Sequence, residues 1–301
     1  DRLVPAGRRI TAERLEVLRR EHVALVASMT AGDMLAHTAA SLGMYAAVFL
    51  FCGTYVLSHR RLIATELRRL ITLLALAVAT VGLGRLCTGS LWEAELVPIL
   101  LFSMTVAIVY WRELALVLSA AMALVLCLAF GMGLAEFVLM VATSSAAVLL
   151  LNRVRSRTKM IYVGLVSGTV AILTTIGVGT LSGDPLGSWS STDVLTLEQW
   201  KEGGSPFAVH LMAGAAWHGF CAVLAALIIT ALLPFIERLF DVQTDLSLLE
   251  LGDAAHPLLQ ELARRAPGTY NHSINVASLA EAAAESIGAN GLLCRVGSYY
   301  H

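Results

Sequence analysis

Seven long apolar runs divide the sequence, at 39–57, 67–88, 94–110, 114–133, 134–151, 160–181 and 208–233. Each is close to the roughly 20 residues that cross a bilayer as an α-helix. The stretch 94–130 is too long for one crossing at about 1.5 Å per residue. It divides at "WRE", where Arg112 and Glu113 are costly at the bilayer centre. Residues 1–38 are polar to mixed, and there Thr11 is placed to cap a helix through Leu15, Leu18 and Leu25, with Glu13 in its first turn. After Pro234 the runs give way to shorter amphipathic pieces. Leu246, Leu249, Leu258, Leu259 and Leu262 mark apolar faces. His256-Pro257 fits a helix start and Pro267-Gly268 a break. A helix over 270–287 places Ile274, Ala277, Ala280, Ala284 and Ile287 on one face, and Gly288 closes it. A last short helix starts near Asn290 and holds Leu293, Val296 and Tyr300. The pattern predicts an all-α chain in three parts: a lead-in over 1–38, a polytopic seven-helix transmembrane bundle over 39–235, and soluble helices over 236–301.

Composition agrees with a membrane protein. Of 301 residues, 57% are hydrophobic and 14% charged, with a mean hydropathy of +0.74. Soluble domains carry nearer a quarter charged residues. The net charge of −1 gives no basic field for nucleic acid. The five cysteines lack disulfide or zinc spacing and read as packing residues.

Loop charge then sets orientation. "SHRRLIATELRR" holds Arg60, Arg61, Arg68 and Arg69, the next basic turn holds Arg112, and "NRVRSRTK" holds Arg153, Arg155, Arg157 and Lys159. The alternate loops "GSLWEAE" and "GMGLAE" have neither Lys nor Arg, and 182–207 has only Lys201. The positive-inside rule places the basic set in the cytoplasm, the N-terminus outside and the C-terminus inside, a parity that seven spans satisfy. Trp189 and Trp200 in the long outer loop suit the interface, and that loop is either a ligand sensor or simply solvated. Arg85, Glu95 and Glu136 fall near outer span ends, and His210 and His218 in the outer half of the last span. No chain of mid-membrane charges marks a transport path. Ser144, Ser145, Gly164 and Gly168 are expected to serve helix packing.

Beyond the membrane, His272 and His301 lie on successive expected helices. Neutral imidazoles are suitable transition-metal ligands, although spacing alone equally admits two unrelated histidines. The run "LLELGDAAHPLLQELARRAPGTYNHSINVASLAEAAAESIGANGLLCRVGSYYH" resembles the start of the HD phosphohydrolase domain in the seven-transmembrane HD family. There an extracellular domain precedes the membrane bundle and a cytoplasmic HD domain follows it. Its better-known members are cyclic di-AMP phosphodiesterases. The resemblance implies that His272, in "TYNHS", is the first histidine ligand and that His301 is the histidine of the HD dyad. It implies two divalent transition metal ions, iron or manganese, and hydrolysis of cyclic di-AMP to its linear form. It implies a multi-pass protein of a bacterial-type plasma membrane, regulated by an extracellular ligand.

Arg264 and Arg265 are candidate contacts to substrate phosphate, or else solvated cations at a helix C-terminus. Glu281 reads as a solvated carboxylate. Both ends are expected to be cut from a longer protein, with further metal ligands following His301. Alone, this chain is then not expected to turn over substrate. The alternative function is a transmembrane receptor or binding module without hydrolysis, and a transporter is the third.

Overall fold

The computed structural model describes residues 16–17, 19–20, 30–59, 67–88, 94–151, 157–182 and 206–301. Of the expected helix through Leu15 and Leu25 only Glu16, Val17, Arg19 and Arg20 are described, all four helical, while residues 183–205 of the long outer loop and the loop arginines Arg60, Arg61, Arg153 and Arg155 lie outside the described residues. The described residues contain helices and no strand. The chain divides into two compact units, 1–55 and 56–301.

Helix α1, Ala31–His59, makes up most of what is described of the first unit. It opens on a reciprocal cap. Asp33 accepts from the Thr30 N–H at 3.0 Å and the Thr30 hydroxyl at 2.7 Å, while the Asp33 N–H donates back to Thr30 Oγ1 at 3.3 Å. Its apolar side chains Leu42, Phe49 and Phe51 are exposed, a surface that suits lipid.

The second unit holds α2 (Leu67–Cys87), α3 (Leu96–Val109), α4 (Arg112–Phe130), α5 (Leu134–Leu150), α6 (Arg157–Ser182) and α7 (Pro206–Phe240). With α1, these seven apolar helices fall on the seven expected runs. Five of them are long and apolar enough to cross a membrane, and α3 and α5 are shorter. The chain is therefore a multi-pass membrane protein. Helix α3 is apolar all round and buried all round, with Ile99, Leu100, Met104 and Val106 among its enclosed residues. It forms the centre, packed against α2, α4, α5 and α7. Between α3 and α4 the chain breaks at Tyr110 and Trp111, both extended, where "WRE" predicts a division. Helix α4 closes on Gly131 at φ 68, with Met132 N–H bonded to Cys127 O at 2.9 Å. That geometry needs a left-handed residue, which glycine supplies without a Cβ clash.

Helices α6 and α7 pack along small residues. A Cβ on Gly164 would meet the Ala226 Cβ at 2.6 Å, and one on Gly168 the Gly219 carbonyl at 3.0 Å. Gly164 and Gly168 thus serve the close packing that the sequence predicts.

Helix α7 continues seven residues beyond the apolar run that ends at 233. It has 35 residues and contains Pro234. Pro234 has no N–H for the Thr230 carbonyl, a loss that membrane helices tolerate. The helix stops at Asp241, whose φ is 53, with Val242 N–H bonded to Glu237 O at 3.1 Å. A left-handed aspartate here does what glycine usually does.

Four shorter helices follow: α8 (Asp245–Leu251), α9 (Pro257–Arg265), α10 (Pro267–Ser286) and α11 (Gly291–Tyr299). Pro267 and Gly268 do not interrupt. Pro267 is the first residue of α10, where its fixed φ fits and its missing N–H is not needed, and Ala266 makes the break. On α10 the buried line is Ser273, Ala277 and Ala284, while the expected stripe ends Ile274 and Ile287 are exposed. Gly288, at φ 72, closes the helix as predicted, with Ala289 N–H bonded to Ala284 O at 2.8 Å.

Candidate functional site

The candidate ligands sit on α10 and just after α11, two helices that pack on each other across a short turn. Their pairing requires close approach at Gly291. A Cβ there would lie 2.8 Å from Glu285 Cγ and 3.1 Å from Glu281 O. Asn290 caps α11 by accepting from the Leu293 N–H at 3.2 Å.

His272 lies in the second turn of α10, because that helix starts earlier than its sequence suggests. His301 is not on a helix. It follows the last turn of α11, and its N–H reaches Ser298 O at 3.5 Å. Both histidines stand at the end of the helical pair away from the connecting turn. Both are exposed, and neither imidazole has a hydrogen bond or ion pair among the described residues. Beside His272, the buried Ser273 hydroxyl has no hydrogen-bond partner among the described residues. Two available imidazoles fit part of the donor set of a divalent transition metal. Among the described residues no group of three or more His, Cys, Asp or Glu gathers around them.

Arg264 and Arg265 end α9. Both guanidinium groups turn to Glu261, Arg264 at 2.6 Å, and both are exposed. Glu281 departs from its expected solvated state. Its carboxylate pairs with Arg295 Nη1 at 3.2 Å, joining α10 to α11. Arg295 also donates from Nε to the Tyr299 hydroxyl at 2.7 Å, which helps push its guanidinium pKa further up.

Three connections were not read from the sequence. The Glu237 carboxylate on α7 accepts from the hydroxyls of Thr244 and Ser247, the latter at 2.7 Å to each oxygen. Thr244 is also the N-cap of α8. Tyr300 bonds Leu251 O at 2.6 Å and lies 3.1 Å from His256 Nδ1. Inside the bundle, Thr175 Oγ1 and His218 Nδ1 meet at 3.1 Å between α6 and α7. Only the cap had a signal, in the threonine preceding a short leucine pattern. A cavity of about 540 Å³ lies where the α3–α4 turn faces the α7–α8 turn, lined by Trp111, Arg112, Glu113 and Asp245 among others.

Residues 36–244, more than half of the chain, match the family described as 7TM receptor with intracellular HD hydrolase. Over 77 residues the chain is 51% identical to cyclic-di-AMP phosphodiesterase PgpH of Bacillus subtilis, covering 26% of this chain and 11% of that protein. Over 69 residues it is 52% identical to the protein of the same name from Listeria monocytogenes, covering 23% and 10%. An uncharacterized protein of Synechocystis is 42% identical over 93 residues, covering 31% and 10%. The matches span about a tenth of the length of these relatives. No solved structure matches the chain.

Proposed function

The chain belongs to the family of seven-transmembrane receptors with an intracellular HD hydrolase, and on that premise we propose that it is part of a membrane-anchored phosphodiesterase that opens cyclic di-AMP to its linear form. The observation that carries this reading is the 51% identity shared with the Bacillus subtilis phosphodiesterase. The two exposed, unbonded imidazoles of His272 and His301 support it from the structural side.

In this reading, 1–38 lead in from an extracellular domain, 39–235 form seven spans, and 236–301 begin the HD domain. Arginine-rich loops face the cytoplasm, which puts the helices after α7 on that side. His272 and His301 are metal ligands, each giving a neutral imidazole nitrogen to iron or manganese. When bound, a metal pair would neutralise phosphoryl charge and supply a nucleophile at neutral pH. Arg264 and Arg265 are proposed to meet substrate phosphate, exchanging Glu261 for it. An extracellular ligand would control the reaction through α7.

The test uses the whole protein in membranes, with metal content and formation of the linear dinucleotide as readouts. His272→Ala is expected to lose metal and at least about 100-fold in turnover. Full turnover in that variant would remove His272 from the site. Ligand binding by a wild-type protein that never yields linear product would favour the receptor reading instead.

A further inference from the structure

The backbone at His301 needs an explanation. Helix α11 ends before it, and its own N–H bond is long at 3.5 Å. Its placement depends on its neighbour. The Tyr300 hydroxyl has one hydrogen to give. The Leu251 carbonyl can only accept, so the hydroxyl donates there, at 2.6 Å. His256 Nδ1, at 3.1 Å, must then carry a hydrogen and donate to the phenol oxygen. The two rings also meet edge to face, with centroids 6.0 Å apart. One side chain thus ties the residue before His301 to the last residue of α8 and the N-cap of α9.

The same end of α8 lies tightly on α11. A Cβ on Gly252 would fall 3.1 Å from Val296 Cγ2 and 3.6 Å from Tyr299 Cε2. The other end of α8 is held by the membrane helix. Glu237, still within α7, takes the hydroxyls of Thr244 and Ser247 with its carboxylate. In between, Leu248 is buried. Helix α8 has seven residues, about 10 Å at 1.5 Å per residue, and is too short to bend appreciably.

We infer that Glu237 and Tyr300 are positioning residues for His301, acting through α8 as a rigid strut gripped at both ends. The inference rests on the reading of His301 as a metal ligand. A displacement of α7 at Glu237 then reaches His301 through α8 and the contacts at its far end, bypassing the chain of α9 and α10.

The test is hydrogen exchange in the whole metal-free protein in nanodiscs, followed over 298–301. Tyr300→Phe keeps the ring and is expected to speed exchange there about tenfold, as for one lost hydrogen bond. Glu237→Gln, distant in sequence, is expected to speed it at least about threefold. The double variant is expected to exceed the larger single effect by less than about twofold, since both act on one strut. Ser247→Ala, which leaves Glu237 in place, is expected to follow Glu237→Gln. In the metal-loaded protein both positioning variants are expected to lower kcat about tenfold with KM within about twofold. Unchanged exchange at 298–301 in both Glu237→Gln and Ser247→Ala, or fully additive effects, would overturn the strut. His301→Ala decides the other question. If it keeps metal and turnover while Glu237→Gln still loosens 298–301, the strut stands and the ligand assignment falls.

Discussion

The bundle and the helices beyond it treat their polar groups in opposite ways. Within the bundle, hydroxyls mostly bond back to their own helix. Thr80 donates to Leu76 O, Ser119 to Ala115 O, Thr143 to Leu139 O and Thr230 to Ala226 O. These bonds satisfy a group without choosing a neighbour. Neighbours are chosen by shape, through Gly164, Gly168 and Gly219 against Ala226 and Ile172. From Glu237 onward the polar groups join different elements. Glu237 reaches α8, Glu281 reaches Arg295, and Tyr300 reaches both Leu251 and His256. A small apolar core of Leu248, Leu259, Ala277, Ala284 and Val296 leaves much of the arrangement to these bonds. In lipid, apolar surface gives little preference between partners, so fit decides. In water, a small core supplies limited hydrophobic stabilisation, and directional bonds fix the geometry.

The comparison is open to measurement. Leu259→Ala removes a side chain that is 2% exposed, and is expected to cost about 2–5 kcal/mol. Hydrogen exchange should show α9–α11 opening while α3 stays protected, and loss of both together would erase the distinction. Gly164→Val places a methyl-bearing Cβ into Ala226 and is expected to cost about 1–3 kcal/mol. Denaturant unfolding in mild detergent should register that loss in the bundle. Asn290→Ala deletes the cap of α11, with an expected loss of about 1 kcal/mol in the same assay. A double-mutant cycle on Thr175 and His218 should give a coupling of about 0.6 kcal/mol, typical between membrane helices. Smallest of all, Thr143→Val is expected to stay within about 0.5 kcal/mol, because its hydroxyl serves only its own helix. A large effect there would show that bundle hydroxyls also select partners.

The same contrast explains what could be read in advance. Hydropathy located all seven apolar helices, and "WRE" located the break at Tyr110 and Trp111, because both signals are local. The seventh apolar run ends at 233, yet the helix carries on through Pro234, Glu237 and Arg238 to Phe240, because a helix continuing from a bilayer tolerates a proline. The early start of α10 at Pro267 was hidden by reading Pro-Gly as a break when proline also opens helices. His272 and His301 were legible as candidates from their resemblance to a family motif. Their setting was not, because Tyr300 meets Leu251 and His256 only after three helices have packed, and no spacing encodes that contact. Glu281 likewise gained Arg295 through the packing of α10 on α11.

Helix α7 passes through Pro234 to Phe240 without a flexible joint, and Glu237 lies within that unbroken stretch. The membrane end and the Glu237 carboxylate therefore share one angular phase. One residue inserted between Pro234 and Glu237 would turn the carboxylate by about 100° and advance it about 1.5 Å. Seven residues would nearly restore the angle, at a greater height. The length of this stretch, counted in residues, is thus itself a carrier of information, which a domain exchange at this junction must preserve.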